Sequence, residues 1–327
     1  MPTETTSYDL KFASAPYLGI ERTTRIKDEL DIKLSNHSAP LLPDDKESDW
    51  VASVAAPTFK LIRLKKWSLS SFATIGTGSG VDALAAIEIL GVDRIGITDL
   101  HTDVVEGARA NIERNLKQGV DVAIDAGGGD LLSPLLRFNP RYDLIYENLP
   151  NVTLPEDENI ANERRSSDYV EHRIESIPDS LRKSLVDLHF LALVQSRGFL
   201  TERGSVIATI GARVPLHVFE QMGALAGYHS TFLAYAWKTQ ADPEIMLRGY
   251  SQQQHEGYGP FTFYRADILR KVFADVDFDK SGNRALEIEK TLKPHRLDAT
   301  AAYVAFTNGD EIGHTVAVVR SRTGYSN

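Results

Sequence analysis

Short apolar runs alternate with stretches of helical periodicity from residue 60 onward, and this alternation constrains the fold more than any other feature. Such runs are typical of parallel strands buried on both faces, with helices as crossover connections. The predicted strands cover residues 71–75, 94–98, 120–124, 142–147, 205–210, 232–237, 261–264 and 315–319. The predicted helices cover residues 81–90, 102–118, 180–198 and 214–225. The sequence therefore predicts an α/β fold with a doubly wound, mostly parallel sheet.

The composition excludes several classes of function. The 327 residues carry a formal net charge of −9 and include no cysteine, which excludes disulfides, thiolate zinc sites and iron–sulfur clusters. The nine histidines show no paired spacing, so no metal site is predicted. An acidic chain is poorly suited to the phosphate backbone, so we expect no nucleic-acid partner. No signal peptide and no apolar stretch of about 18 residues is present, so we expect a soluble, cytoplasmic protein without a membrane partner.

The chain divides unevenly along its length. Residues 1–66 mix charge with proline and include a predicted short helix at 22–34, so we expect an N-terminal extension that covers the active site. Residues 67–327 form the predicted main domain. Within it, residues 150–178 are polar and rich in acid and arginine, which indicates a lid insertion. The oligomeric state cannot be predicted from these features.

Three glycines mark the junction of the first predicted strand and helix of the main domain. Gly76, Gly78 and Gly80 allow backbone to approach a ligand at a helix N-terminus. Their alternating spacing differs from the G-x-G-x-x-G of dinucleotide sites, which disfavours NAD. Asp99 ends the next strand, where a carboxylate can accept hydrogen bonds from both ribose hydroxyls, and Asp130 follows the third strand, where an adenine amino group would need an acceptor. Such features occur singly in many sheets, but their joint placement favours a nucleoside cofactor.

This combination resembles the class I S-adenosylmethionine-dependent methyltransferases, which have a seven-stranded Rossmann-like sheet. The resemblance implies that S-adenosyl-L-methionine is the cofactor, that the glycine turn holds its methionine part and sugar, that Asp99 binds its ribose, and that Asp130 meets its adenine. One position departs from the family. An acidic residue commonly stands two positions before the first glycine, and Thr74 stands there in this chain. Recognition of the cofactor's ammonium group must therefore be altered or supplied from elsewhere.

The sequence Glu-Asn-Leu-Pro-Asn at 147–151 ends the fourth predicted strand and resembles the Asn-Pro-Pro-Tyr type of motif. In that family the motif orients an amino or amide nucleophile beside the sulfonium. Asn148 and Pro150 match it, whereas Asn151 stands where the aromatic residue should be. The resemblance implies that Asn148 contacts both cofactor and nucleophile, and Asn151 is a candidate for substrate binding, because an amide both donates and accepts. The alternative is an ordinary strand-ending turn.

Other polar and aromatic side chains are candidates on chemical grounds. Tyr146 and Tyr169 stand nearest the motif and are predicted to offer aromatic faces to the sulfonium. Arg213 is a candidate to bind a substrate carboxylate through two parallel hydrogen bonds. His172 and His314 are candidate general bases because an imidazole titrates near neutral pH. The alternative for each is an ordinary place in the core or on the surface.

The second half of the chain carries a longer resemblance. Segments at 199–215, 237–240, 261–264 and 313–317 are similar to the N-terminal methyltransferase part of plant methionine S-methyltransferases. The resemblance implies methyl transfer from S-adenosylmethionine to a small amino-acid-like substrate, in small-molecule biosynthesis. One alternative is a cyclase in which the cofactor's own amine attacks its side-chain carbon, giving azetidine-2-carboxylate and methylthioadenosine, as in bacterial azetidine-carboxylate synthases. A second alternative is a non-catalytic nucleoside-binding protein.

Overall fold

The computed structural model describes residues 8–35, 37–38, 40–153, 169–170 and 174–324. The strands are β1 (Tyr8–Ala13), β2 (Glu29–Leu34), β3 (Ser71–Ile75), β4 (Arg94–Asp99), β5 (Ala123–Gly128), β6 (Tyr142–Glu147), β7 (Val152–Thr153), β8 (Tyr169–Val170), β9 (Leu200–Ala212), β10 (Tyr228–Thr239), β11 (Tyr264–Arg265) and β12 (Ile312–Thr323). The α-helices are α1 (Ser14–Leu18), α2 (Ala56–Leu64), α3 (Val81–Leu90), α4 (Thr102–Asn115), α5 (Asp179–Lys183), α6 (Asp187–Ser196), α7 (His217–Leu225), α8 (Pro243–His255), α9 (Ala266–Phe273), α10 (Phe278–Ser281), α11 (Ala285–Leu292) and α12 (Ala299–Thr307). A π-helical segment precedes α2 (Val51–Ala55), and short 3-10 helices occur at Ser133–Phe138, Gly282–Arg284 and Lys293–His295.

The chain forms two compact units. Of the described residues, the first unit holds 8–149 and 195–206, and the second holds 150–153, 169–170, 174–194 and 207–324. Strand β9 contributes its first residues to one unit and its last to the other.

The first unit contains the parallel strands in the order β6-β3-β4-β5, with the first residues of β9 next to β6. Strand β3 pairs in parallel with β6 and β4, and β4 pairs in parallel with β5. All five residues of β3 are buried, as expected for a strand covered on both faces. The mixed α/β architecture with a largely parallel central sheet confirms the predicted fold class. Because these strands run in one direction, their carboxyl ends lie at one edge of the sheet.

Residues 22–34 do not form the predicted helix, and that prediction was wrong. Strand β2 occupies the end of this range and pairs antiparallel with β1, in a register that sets Ala13 opposite Glu29. The sequence of β2, ELDIKL, alternates polar and apolar residues, and its burial alternates with the same period of two. Side-chain amides of α4 fix this hairpin in place, because Asn111 and Asn115 each bond to backbone groups of β2.

The second unit contains the antiparallel part of the sheet. Strands β10 and β12 pair antiparallel along their whole length, in the order β10-β12-β9, and the two-residue β11 also pairs with β12. Counting β11, the described sheet has eight strands, one more than the seven-stranded sheet that the resemblance implies. The helix predicted at 180–198 is interrupted, because the backbone adopts a φ of 53° at Leu185 between α5 and α6. Among the described residues, no helix combines the length and apolar character that a membrane crossing requires.

Candidate functional site

The glycine turn joins β3 to α3 in the first unit. Gly76, Gly78 and Gly80 all have positive φ angles, of 73°, 51° and 80°. A Cβ at Gly80 would lie 3.0 Å from the Ala108 carbonyl oxygen, so α4 packs directly against the end of the turn. The backbone N–H of Gly76 donates to the Thr98 carbonyl oxygen at 2.9 Å. The turn therefore has a fixed backbone path that favours glycine.

Asp99 faces this turn from the end of β4, as the sequence analysis expected. Its Oδ2 accepts a hydrogen bond from the Gly78 N–H at 3.1 Å, and its Oδ1 accepts one from the His101 N–H at 3.4 Å. Burial is the largest influence and raises the pKa of Asp99, while these two hydrogen bonds offset part of the rise. The structure therefore joins the glycine turn to the predicted ribose-binding carboxylate.

Asp82 is a second carboxylate at the turn, and it was not among the predicted site residues. It lies in the first turn of α3, only 6% exposed, and accepts hydrogen bonds from the Thr74 hydroxyl and the Ala83 N–H. Burial, with a smaller contribution from the charge of Asp99, raises the pKa of Asp82 to about 7. Thr74 is the position where the family commonly has an acid. In this chain a carboxylate from the following helix bonds to Thr74, and the available signal was an aspartate in an otherwise apolar helix start.

Residues of the N-terminal segment reach the surroundings of Asp82. The Tyr17 hydroxyl of α1 donates to Asp49 Oδ1 at 2.8 Å, and both side chains are buried. Burial first, and then the charge of Asp49, raise the pKa of Tyr17, with smaller contributions from Asp82 and Tyr146. The ring of Phe59, also within the first 66 positions, lies 5.2 Å from that of Tyr146, so this part of the chain packs against β6 beside the turn.

Tyr146 lies in β6 and is buried among aromatic rings. Its ring centroid is 5.2 Å from that of Phe59 in α2, in an edge-to-face arrangement, and 6.3 Å from that of Phe72 in β3. Only 3% of Tyr146 is exposed. Its predicted contact with the sulfonium stays a prediction.

Asp130 follows β5 and is held by a glutamine. Its Oδ2 accepts a hydrogen bond from Gln195 Nε2 at 2.9 Å, and Gln195 Oε1 accepts one from the Leu132 N–H at 3.0 Å. A Cβ at Gly128 would lie 2.5 Å from Thr102 Oγ1, so the end of β5 packs against the start of α4. Asp130 is therefore a positioned carboxylate at the same edge of the sheet as Asp99.

The motif after β6 also lies beside the glycine turn. Ile75 and Glu147 are register partners, so β3 and β6 end level with each other. The buried Glu147 carboxylate accepts a hydrogen bond from the Leu149 N–H at 3.1 Å, and a Cβ at Gly76 would lie 3.3 Å from Leu149 Cδ2. Asn148 stands between Glu147 and Leu149 in the sequence, directly after β6, and is half-buried.

Two further candidates belong to the second unit, and a third lies outside the described residues. Asn151 Nδ2 donates to the Leu185 carbonyl oxygen at 3.2 Å and lies 3.0 Å from His189 Nε2. The backbone of Tyr169 pairs in β8 with β7, but its side chain lies outside the described part of the structure. His172 lies wholly outside the described residues. Substrate contact by Asn151 and catalysis by Tyr169 stay predictions.

Arg213 is buried at the end of β9, with 7% of its surface exposed. Its Nε and Nη2 donate to Gln240 Oε1 at 3.2 and 2.8 Å, its Nη2 lies 3.2 Å from His314 Nε2, and its Cζ lies 5.0 Å from the Tyr250 ring centroid. No carboxylate pairs with Arg213 in the described part of the chain. Burial lowers the pKa of Arg213, and burial followed by the charges of Arg213 and Lys238 lowers that of His314. His314 is therefore a neutral imidazole beside a buried cation.

The structure thus brings many of the predicted residues together in the first unit. They are Gly76, Gly78, Gly80, Asp99, Asp130, Tyr146 and Asn148. Asn151 and Arg213 lie in the second unit.

No protein-family model and no curated protein sequence matches this chain. Among solved structures, it is similar to the cyclopropane synthase MmaA2 from Mycobacterium tuberculosis, at 13% identity and a TM-score of 0.37, covering 82% of this chain and 84% of that one. It is also similar to a SAM-dependent methyltransferase from Agrobacterium tumefaciens, at 11% identity and a TM-score of 0.37, covering 68% and 59% of the two chains. A third is the ribosomal protein L11 methylase from Lactobacillus delbrueckii subsp. bulgaricus, at 20% identity and a TM-score of 0.36, covering 55% and 71%. Likenesses of this degree assign no function.

Proposed function

We propose that the first unit binds S-adenosyl-L-methionine and that the chain is a transferase that uses it. The observation that carries this proposal is the pair of carboxylates, Asp82 and Asp99, at a glycine turn between a parallel strand and its helix. The hydrogen-bond donors described for both carboxylates are neutral groups. S-adenosylmethionine offers an ammonium group to Asp82 and ribose hydroxyls to Asp99. The glycines of the turn have no side chains, so the cofactor can lie close to the backbone there.

Calorimetric titration with S-adenosylmethionine tests this proposal directly. We expect 1:1 binding by the full chain, strongly weakened or abolished by Asp99→Ala. Asp121→Ala is the matched control, because Asp121 is an exposed aspartate outside the turn. Unchanged affinity in Asp99→Ala would mean that the cofactor site is elsewhere.

We propose methyl transfer to a small amino-acid-like acceptor as the reaction. A sulfonium methyl group is already activated, so the protein needs to align the nucleophile and exclude water. In this proposal Asn148 orients the nucleophile and Tyr146 and Tyr169 supply aromatic faces. Asn151 and Arg213 bind the acceptor. The resemblance to the methyltransferase part of plant methionine S-methyltransferases supports this substrate class.

The surroundings of Arg213 also support an acceptor that carries a carboxylate. A buried guanidinium without a carboxylate partner among the described residues is unfavourable, and its neutral partners Gln240 and Tyr250 only partly compensate its charge. An α-carboxylate would supply the opposite charge in the two-pronged geometry that arginine favours.

Enclosure of the reaction is proposed for residues 1–66 and for the lid at 150–178, of which 154–168 and 171–173 lie outside the described residues. Support for the first comes from Tyr17 and Asp49, which form a buried hydrogen bond of 2.8 Å within these residues, and from Phe59, whose ring packs on that of Tyr146. Excluding water from this region would strengthen the attraction between Asp82 and a cationic ligand.

A second reaction, intramolecular cyclisation, is favoured by Asp82 itself. In this reaction Asp82 accepts one proton from the α-ammonium group. The amine then attacks the γ-carbon of the same molecule, the bond between that carbon and sulfur breaks, and the electron pair leaves with methylthioadenosine. The product is azetidine-2-carboxylate, whose ring nitrogen keeps two protons, and the third proton of the ammonium group remains on the Asp82 carboxylate. A carboxylate with its pKa raised to about 7 is suited to receive this proton near neutral pH.

Incubation with S-adenosylmethionine alone separates these reactions. Methylthioadenosine and a four-membered imino acid, formed without an acceptor and detected by mass, would support cyclisation and contradict methyl transfer. S-adenosylhomocysteine that appears only with added amino acids would do the opposite. Binding without either product would favour the non-catalytic nucleoside-binding alternative.

A further inference from the structure

Two histidines and an aspartate meet in the first unit, away from the glycine turn's own residues. His37 lies in the segment after β2, and His101 and Asp103 lie at the start of α4. One ligand atom from each lies within 4.8 Å of the other two. His37 Nδ1 is 3.0 Å from Asp103 Oδ2, across 66 residues of sequence. Sequence spacing could not reveal this group, because its members come from separate segments.

The imidazole of His101 has an unusual environment. Its Nε2 atom is buried and has no hydrogen-bond partner within the part of the chain that the structure describes. The ring stacks on that of His37, with centroids 4.4 Å apart and planes 13° from parallel. A buried polar atom without a partner costs free energy, and in native proteins such atoms point to a missing ligand, water or ion.

We propose that His37, His101 and Asp103 bind a divalent transition-metal ion of the zinc type. Two imidazoles and one carboxylate form a nitrogen and oxygen donor set that suits such ions, whereas Mg²⁺ and Ca²⁺ prefer oxygen ligands throughout. The metal takes the place of the proton between His37 and Asp103, and the unpartnered nitrogen of His101 coordinates it. Water completes the coordination from the open side, where the side chains of His37 and Asp103 are 29% and 47% exposed.

Metal binding requires a small contraction of the cluster. Ligand atoms about 2.0–2.1 Å from a tetrahedral zinc ion lie about 3.4 Å from one another. The present separations, up to 4.8 Å, therefore close by roughly 1 Å or more, with rotation of the stacked rings. His37 is in a segment without helix or strand and can supply this movement. The bound ion would tie that segment to the start of α4, next to Asp99.

The test uses the full chain after treatment with a chelator, titrated with Zn²⁺ and, for its visible spectrum, with Co²⁺. We expect one ion per chain, a rise in melting temperature, and visible d–d absorption from bound Co²⁺. His37→Ala, His101→Ala and Asp103→Asn should each weaken binding about tenfold or more. His229→Ala is the control, because His229 is an exposed histidine in the second unit.

Folding of each variant is checked by its melting temperature in chelator, so that a lost site is separated from a lost fold. Asp103→Asn keeps the size of the side chain and serves where an alanine variant does not fold. Failure to bind one Zn²⁺ per chain would overturn the proposal, and so would binding that survives all three substitutions. Neither result depends on the cofactor or on turnover.

Discussion

The Thr74 hydroxyl donates a hydrogen bond to the Asp82 carboxylate, across eight residues of sequence and the whole glycine turn. This bond brings a carboxylate to the end of β3 from the helix that follows. Asp82 is deeply buried there, with 6% of its surface exposed. That burial raises the pKa of Asp82 to about 7, so this group changes charge near neutral pH.

Asp82→Asn is expected to weaken binding of S-adenosylmethionine about ten- to a hundredfold. The variant keeps the shape of the side chain but removes the charge that would pair with the cofactor's ammonium group, an interaction worth about 1.5–3 kcal/mol. Calorimetric titration measures the change, with Asp121→Asn as an exposed control. Equal affinities in Asp82→Asn and the parent chain would remove Asp82 from the cofactor site.

The stability of the ligand-free chain is expected to depend on the protonation of Asp82. Its pKa is higher in the folded chain than in the unfolded one, so the folded state binds the extra proton between about pH 4 and pH 7. Stability contributed by this proton is present at the acidic end of that window and is lost as pH rises through about 7. Because the pKa of Asp99 is also raised, the informative quantity is the difference between the parent chain and Asp82→Asn.

Urea unfolding of both chains from pH 4 to pH 8 measures that difference. The parent should lose stability relative to Asp82→Asn as pH rises to about 7, and the difference should then level off. A difference that does not change with pH would show that Asp82 titrates at an ordinary carboxylate pKa. Binding of S-adenosylmethionine should strengthen over the same window, because the ionised carboxylate is the form that pairs with an ammonium group.

Gly80 and Gly78 offer a matched pair of substitutions in one turn. Both have positive φ, so alanine strains the backbone at either position by about 1 kcal/mol. Only at Gly80 would the new Cβ also meet the Ala108 backbone, at 3.0 Å, whereas nothing lies within 4 Å at Gly78. We expect Gly80→Ala to lower the free energy of unfolding by about 1–3 kcal/mol more than Gly78→Ala. Equal losses would mean that α4 does not press on the turn.

The sequence predicted the parts of the fold that depend on local pattern. The predicted bounds are correct for β3, for α3 and for the glycine turn between them. A buried apolar strand and a glycine-rich junction can each be recognised from a few consecutive residues. Strand β2 was predicted as helix although its alternation was visible, because its pairing with β1 joins residues 16 to 26 positions apart, which a local pattern does not reveal.

Only part of the site could be predicted, because some of its residues meet through contacts that no local sequence pattern shows. Asp99 could be predicted because a strand-end acid has a fixed place in a parallel sheet. Asp82 could not, because its relation to Thr74 arises only when the turn folds the helix back to the strand. The group of His37, His101 and Asp103 likewise forms only when the β1–β2 hairpin packs on α4.

Arg213→Met and Gln240→Glu together test whether Arg213 binds a substrate carboxylate. Methionine removes a buried charge while filling similar space, so Arg213→Met should leave the stability of the chain unchanged or raise it. If Arg213 binds the carboxylate, the same variant should raise KM for the acceptor about ten- to a hundredfold, with affinity for S-adenosylmethionine unchanged.

Gln240→Glu places a carboxylate within 2.8 Å of the guanidinium. It should stabilise the chain and also raise KM, because it competes with the substrate for Arg213. Loss of stability in Arg213→Met with KM unchanged would instead assign Arg213 a structural role.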